Sequence, residues 1–354
     1  MRPILFRMPG LGLHGPFGLP GSAGEAYGGG LTEHFDFGPN PGNLRLFAYR
    51  PRKLPPGSPL VVMLHGCRQD ARGYDHGAGW SALAGRLGFA LIAPEQGHAN
   101  NVRGCFNWFL PEHARRGEGE PASIRQMIAW ALKAYGCDPA RIYITGLSAG
   151  GAMSAVMLAT YPEIFAAGAI IAGLPYAAAS NVQQALIAMQ SAPEREPQDW
   201  ADAVRGASGW QGPWPCVSIW QGDNDQTVNP ANMEALIAQW TTLHDVVHAH
   251  DELGPGLRHR VWRDANGAPA VEAHTVAGLG HGTPIQGVGG ALGEHAGPFI
   301  LEAGISSTLL TARFFGLTAD GEALGKPRRS SFAAPVMQKI MEQALKAARM
   351  FKVR

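Results

Sequence analysis

The clearest capacity for chemistry in this chain lies in one pentapeptide, Gly146-Leu147-Ser148-Ala149-Gly150. A short apolar run, residues 141–145, precedes it, and a helix-like run, 151–161, follows. A serine at the tip of a sharp strand-to-helix turn is held with its hydroxyl presented, and small flanking residues make room for the turn. The helix N-terminus behind it offers N–H groups to a developing oxyanion. The bland reading is a glycine-rich turn with an inert serine. A serine hydroxyl is a weak nucleophile, so it needs a base, and the base needs an orienting acid. Gln221-Gly222-Asp223-Asn224-Asp225 ends the apolar run 217–220, and Gly278-Leu279-Gly280-His281-Gly282 sets an imidazole between glycines. The order serine, acid, histidine is the one that goes with such a turn. Asp225 is preferred to Asp223, where the chain is still turning away from the strand. His281 is preferred to His274 and His295 on order and loop context. His65-Gly66-Cys67 follows the run 59–64, so the backbone N–H groups of Cys67 and Ala149 are assigned to an oxyanion hole. Acyl transfer by this set needs no metal and no organic cofactor.

These residues require elements that bring them together. Short apolar runs without alternation occur at 59–64, 89–93, 141–145, 166–172 and 217–220, the pattern of strands buried on both faces. Helix-like segments at 74–87, 123–135, 151–161 and 232–244 lie between them. The alternation predicts an α/β protein, a mostly parallel, doubly wound sheet with helices on both faces. Residues 31–37 and 43–50 around Pro39-Asn40-Pro41-Gly42 read as a hairpin, as do 259–263 and 270–276 around Asn266-Gly267. Residues 297–315 read as a final core helix. Residues 177–215 interrupt the rhythm; they are a candidate lid over the site or a solvated surface excursion. The expected organisation is a Gly/Pro-rich arm (1–31), a catalytic domain (32–317), and a linker with an amphipathic C-terminal helix (318–354).

Composition narrows the partners. Among 354 residues, 45% are apolar and 16% charged, enough for a large core. Lys+Arg number 29 against 28 Asp+Glu, so the basic surplus that phosphate binding needs is missing and nucleic acid is not an expected partner. The four cysteines form no Cys-x-x-Cys pair, so no zinc site of that kind is expected. No run of 18 apolar residues predicts a membrane span, and Arg7 and Pro9 interrupt the only stretch that could serve as a secretory signal.

Taken together, Leu64-His-Gly-Cys-Arg-Gln69, Ala93-Pro-Glu-Gln96, Cys105-Phe-Asn-Trp-Phe109, Gly117-Glu-Gly-Glu-Pro121, Gly146-Leu-Ser-Ala-Gly-Gly-Ala152, Ala172-Gly-Leu-Pro-Tyr176 and the His281 motif resemble the polyhydroxybutyrate depolymerase/esterase family. The resemblance covers about residues 31–317. It implies the α/β-hydrolase fold and cleavage of 3-hydroxyalkanoate esters by Ser148, Asp225 and His281 through an acyl-enzyme. The family is similar to feruloyl and acetylxylan esterases, so small or carbohydrate-linked esters are the alternative substrates. A granule-binding protein with a retired hydrolase fold is a further alternative, and the presence of all three triad candidates speaks against it. Gly282-Thr283-Pro284 departs from the Ala-Trp-Pro-like run of many members. His65, Asn107 and Trp108 are expected to line the substrate site, Trp108 either as the floor of an acyl pocket or as a core aromatic. The absence of a recognisable signal and of a separate polymer-binding domain points to the intracellular, granule-associated branch, with secretion as the alternative. Cys67 and Cys105 both lie in family motifs; a reducing cytoplasm would leave them as free thiols, an oxidising one would let them pair. The C-terminal helix is expected either to lie on a polymer surface or to dock on the hydrolase body or a dimer partner.

Overall fold

A computed structural model describes residues 30–287 and 292–318. The expected arm and the C-terminal linker and helix lie, apart from their innermost residues, outside the described residues.

The chain opens with the hairpin β1 (Thr32–His34) and β2 (Arg45–Tyr49), Thr32 opposite Ala48. Then follow β3 (Leu60–Leu64), α1 (Ala71–Ala78), α2 (Trp80–Leu87), β4 (Ala90–Glu95), α3 (Gly119–Tyr135), β5 (Ile142–Leu147), α4 (Ala149–Thr160) and β6 (Ala167–Ile171). The second half comprises α5 (Val182–Gln190), α6 (Pro197–Ser208), β7 (Cys216–Gly222), α7 (Ala231–His244), β8 (Ala249–Gly254), β9 (Leu257–Arg263) and β10 (Pro269–Val276). It ends in β11 (Thr283–Ile285), β12 (Ile300–Glu302) and α8 (Ser307–Phe314). The main sheet runs β1-β2-β4-β3-β5-β6-β7-β10-β9-β8. The strands from β4 to β10 in that order are parallel; β1, β2, β9 and β8 extend the sheet antiparallel at its edges.

The apolar strand runs are continuous because each strand serves two cores. On β3, Leu60, Val62 and Leu64 face one cluster, while Val61 and Met63 face the other. The first cluster is covered by α3, α4, α6 and α7, the second by α1, α2 and α8. Successive side chains on a strand point to opposite faces, so a strand between two helix layers has no polar side to show.

The chain passes from β3 outward to β4 and returns to β5 on the other side of β3. Crossovers therefore leave in opposite directions at the carboxyl ends of β3 and β5, which opens a crevice there. Cys67 and Ser148 lie just past those two strand ends.

Several expectations change. The helix expected over 74–87 is two helices, divided at Gly79, whose φ of 75° ends the first turn of chain and starts the next. The helix expected over 297–315 begins only at Ser307, and β12 occupies part of its N-terminal half, paired in parallel with β11. Strand β8 has all six residues exposed and carried no apolar signal. Region 177–215 splits in two. Helix α6 buries Trp200, Ala201 and Val204 in the main core, packed against α4 and α7, and so belongs to the helix layer. Helix α5 buries only Ala185 and Ala188 and leaves Val182, Leu186 and Ile187 exposed. Among the described residues no helix is long and apolar enough to cross a membrane.

Candidate active site

Ser148 stands between β5 and α4 with φ 56° and ψ −116°. A serine in this region is strained by about 1–3 kcal/mol, and the surroundings must hold it there. They do so through close backbone packing. Ser148 N–H donates to the Ile171 carbonyl at 2.8 Å. A Cβ on Gly146 would collide with the Gly150 carbonyl, and one on Gly150 with the carbonyl oxygens of Leu64 and His65. Gly146 is thus required by the tightness of the turn itself, and Gly150 by contact between the turn and the end of β3. That contact holds the start of α4 against Leu64 and His65, and Cys67 follows two residues further on. The N–H of Ala149, the first residue of α4, has no helical carbonyl one turn below it.

His281 lies in the loop between β10 and β11. Its Nδ1 donates to Asp225 Oδ2 at 2.7 Å, and its Nε2 accepts from Ser148 Oγ at 2.9 Å. An ionised carboxylate only accepts, so the proton sits on Nδ1 and the Nε2 lone pair faces the serine. The Phe299 ring stands edge-on to the imidazole, centroids 5.9 Å apart.

Asp225 is buried beyond the end of β7. Its Oδ1 accepts from the N–H groups of Thr227 and Val228 at 2.8 and 2.9 Å, and Oδ2 accepts from Gln221 Nε2 at 2.9 Å besides His281. Burial pushes its carboxyl up, but the His281 hydrogen bond and charge, with the two backbone donors, outweigh that and hold it below the usual range. Asp223 takes a different part. Its Oδ1 accepts from Gly278 N–H at 2.6 Å, and the N–H groups of Asp223 and Asn224 donate to the carbonyls of Val276 and Leu279. These bonds stitch the acid-bearing loop to the histidine-bearing loop. Of the rival histidines, His274 is buried on β10 against Glu272 and His295 stacks on His76.

The expected substrate contacts fare unevenly. His65 has no exposed surface; its Nδ1 donates to the Gly66 carbonyl at 2.8 Å and its Nε2 accepts from Gln96 N–H at 3.1 Å. Burial drives its pKa down to about 4, so it is a neutral brace between the ends of β3 and β4. Asn107 is likewise occupied, donating through Nδ2 to Glu120 Oε1 at 2.8 Å and accepting from Asn101 Nδ2 at 2.9 Å. Neither presents a polar atom to a substrate, because interior partners already hold their hydrogen-bonding groups. Trp108 is 6% exposed and packs into the core, edge-on to Phe109.

Cys67 and Cys105 form a disulfide, with S–S 2.13 Å and Cα–Cα 4.3 Å. Of the two states left open by the sequence, the structure holds the paired one, and the fold keeps the two residues together, since Arg68 N–H donates to the Arg103 carbonyl at 2.7 Å.

Reading residues one at a time missed the supports of this site. Gln221, polar at the end of an apolar strand, bonds the acid. Glu120 is a buried hub that accepts from Gln96 Nε2 at 2.6 Å, from Asn107 Nδ2, and from Asn107 N–H at 2.9 Å. Gln69 accepts from Gly66 N–H at 2.8 Å and so fixes the turn before Cys67. Gln69, Gln96, Asn107 and Glu120 all stand in the motifs that carry the family resemblance, and the bonds of Glu120 to Gln96 and Asn107 tie three of those motifs together.

Known proteins share this arrangement of chain. Residues 49–261, well over half the chain, match the family described as esterase PHB depolymerase. The chain is similar to a poly(3-hydroxyalkanoate) depolymerase C of Paucimonas lemoignei, 43% identical over 81% of this chain and 70% of that one. It is also similar to an acetylxylan esterase of Coprinopsis cinerea, 33% identical over 75% of this chain and 72% of that one. Among solved structures, an acetyl xylan esterase from Aspergillus awamori superposes with TM-score 0.70, at 24% identity, over 81% of this chain and 99% of its own. That likeness extends to the fold, the α/β-hydrolase arrangement that the family resemblance implied. With the family model spanning the strands that carry the serine and the acid, the chain belongs to the PHB depolymerase family of carboxylic-ester hydrolases.

Proposed function

We propose that the protein hydrolyses the ester bonds of poly(3-hydroxybutyrate) or a related 3-hydroxyalkanoate polyester through an acyl-enzyme on Ser148. The observation that carries the reading is the unbroken line of hydrogen bonds from Asp225 through His281 to the Ser148 hydroxyl.

In this mechanism His281 Nε2 takes the serine proton as Oγ attacks the ester carbonyl. Asp225 stays ionised and stabilises the imidazolium. The tetrahedral oxyanion is received by the N–H groups of Ala149 and Cys67, where one donor is worth about 3 kcal/mol. The imidazolium then protonates the leaving alkoxide, and water, activated by the same nitrogen, releases the hydroxyacid. Trp108 is the remaining candidate among the expected substrate contacts.

The experiment is release of 3-hydroxybutyrate from amorphous polymer by wild type and Ser148→Ala side by side. Release that vanishes in the variant supports both substrate and nucleophile. A second reading, an esterase for acetylated or feruloylated carbohydrate, draws on the similarity to the acetylxylan esterase of Coprinopsis cinerea. Ser148-dependent cleavage of acetylxylan without polymer hydrolysis would favour it. The Cys67–Cys105 bridge supports an oxidising compartment, and hence the secreted alternative, over the granule-associated cytoplasmic one. Fractionation of cells with a non-reducing thiol assay tests that assignment.

A further inference from the structure

Away from the triad, one face of the sheet gathers two histidines and a glutamate. Glu272 and His274 are two apart on β10, so their side chains share a face. His259 on β9 is the cross-strand partner of His274. One nitrogen or oxygen from each lies within 4.8 Å of the others. His274 Nε2 meets Glu272 Oε1 at 3.0 Å, and His259 Nε2 meets Oε2 at 3.1 Å.

We infer that His259, Glu272 and His274 form a binding site for a divalent transition cation, with Zn²⁺ the first candidate. Two imidazoles and a carboxylate are a donor set for this class of ion, with remaining positions left for water. The lack of a Cys-x-x-Cys pair has no bearing on a site of this kind.

The surroundings are those such ligands need. Metal-binding histidines and carboxylates are oriented by outer partners. Ser218 Oγ donates to Glu272 Oε1 at 2.7 Å. Glu252 on β8 lies 3.8 Å from His259 Nδ1, the ring nitrogen turned away from Glu272. Trp220 stacks on His274 with centroids 3.8 Å apart. The other nitrogen of His274, Nδ1, is buried without a partner, so the hydrogen bonding of the cluster is incomplete as it stands. Solvent reaches the site from the edge strand, where His250 and Glu252 are exposed.

The two imidazoles stack in parallel, 4.2 Å apart and 5° from coplanar orientation, each with its Nε2 toward one oxygen of the same carboxylate. Protons bridge the cluster in this arrangement. Parallel rings cannot both hold one ion in their planes, so cation binding turns one of them. His259, whose side chain is 26% exposed, has the room; His274 is clamped between Trp220 and His259. The ion would join β9 and β10, next to β7, and β7 and β10 lead into the loops of Asp225 and His281. Its effect is to brace these strands, with no part in the ester chemistry.

The test titrates chelator-stripped full-length protein with Co²⁺ and then Zn²⁺. The expected result is one equivalent of Co²⁺ bound with a visible ligand-field band, displaced by Zn²⁺, and a Tm raised by about 5 °C at a hundredfold excess over Kd. His259→Ala and Glu272→Gln should each weaken binding at least tenfold, and His281→Ala should leave it unchanged. If Glu272→Gln does not fold, His259→Ala, on the partly exposed ring, carries the comparison. His259→Ala should also keep ester hydrolysis within about twofold of wild type. No retained cation, or binding that survives His259→Ala and disappears in His281→Ala, overturns the proposal and leaves a proton-bridged cluster.

Discussion

Replacing Asp225 by Asn tests the proposed relay at the atom where it is most constrained. The carboxylate accepts four hydrogen bonds, two at each oxygen. The replacement amide can keep its oxygen on the Thr227 and Val228 N–H groups, which turns its NH₂ toward His281 Nδ1 and Gln221 Nε2. Nδ1 must then accept, so the imidazole adopts the other tautomer and points an N–H at the Ser148 hydroxyl. The base is lost although every heavy atom stays in place. The equivalent change in a serine protease costs about 10⁴ in kcat, or about 5 kcal/mol, and a loss of that order is expected here. Two donors now face each other, the introduced NH₂ and Gln221 Nε2, which destabilises the fold by about 1–3 kcal/mol. The variant therefore melts several degrees lower but remains folded at 25 °C. Initial rates on a short p-nitrophenyl ester, with Tm measured in parallel, separate the two effects. Asp223→Asn is the control: it keeps an acceptor for Gly278 N–H and should retain kcat within about threefold. Asp225→Asn with more than a tenth of wild-type kcat, or an equal loss in Asp223→Asn, would refute the assignment.

Cys105→Ser should lower stability by about 4 kcal/mol, the chain-entropy value for a bridge spanning 38 residues. It should also lower kcat, by no more than the ~10²–10³-fold that loss of one oxyanion donor costs; unchanged kcat after reduction would show that the bridge does not hold Cys67 in place. Burial pushes the Glu120 carboxyl up to about 7, above its ordinary 4.5. The folded state then keeps a proton that the unfolded chain releases, so stability falls as pH rises from about 4.5 through about 7, by about 3 kcal/mol in all. Glu120→Gln should remove that part of the Tm–pH slope between pH 5 and 8, and a slope identical in both proteins would contradict the argument. Gly150→Ala drives a methyl into the carbonyls of Leu64 and His65 and should destabilise by roughly 3 kcal/mol or more; a soluble variant with wild-type Tm would show that the turn has room the contacts deny it.

The parallel core was legible because strands such as β3 and β4 are apolar on both faces, and the triad candidates were legible because glycines mark the turns around them. Strand β8, Ala-His-Asp-Glu-Leu-Gly, was not: an exposed edge strand is held by ladder hydrogen bonds and needs no apolar pattern. The break at Gly79 was hidden because apolar residues recur at helical intervals on each side of it, Tyr74 and Ala78 before and Trp80, Leu83 and Ala84 after. His65 and Asn107 were misjudged for a common reason. A polar residue in a motif beside a catalytic turn suggests contact with substrate, whereas both are consumed by interior bonds that shape the loops. Which polar groups meet inside depends on loop paths, and composition and periodicity do not encode those.

The stitching of the acid loop to the histidine loop has a mechanical consequence. Asp225 and His281 come from neighbouring strands, β7 and β10, and the bonds of Asp223 and Asn224 tie their loops into one body. Ser148 belongs to β5, with β6 between. When the sheet breathes, the acid and the base travel together, and the gap that opens is the one between Nε2 and Oγ. The proposed relay is therefore expected to act as a two-part joint, its acid–histidine half tied by loop bonds and its histidine–serine half without them. Heating or crowding the crevice should disengage the nucleophile long before the histidine loses its acid.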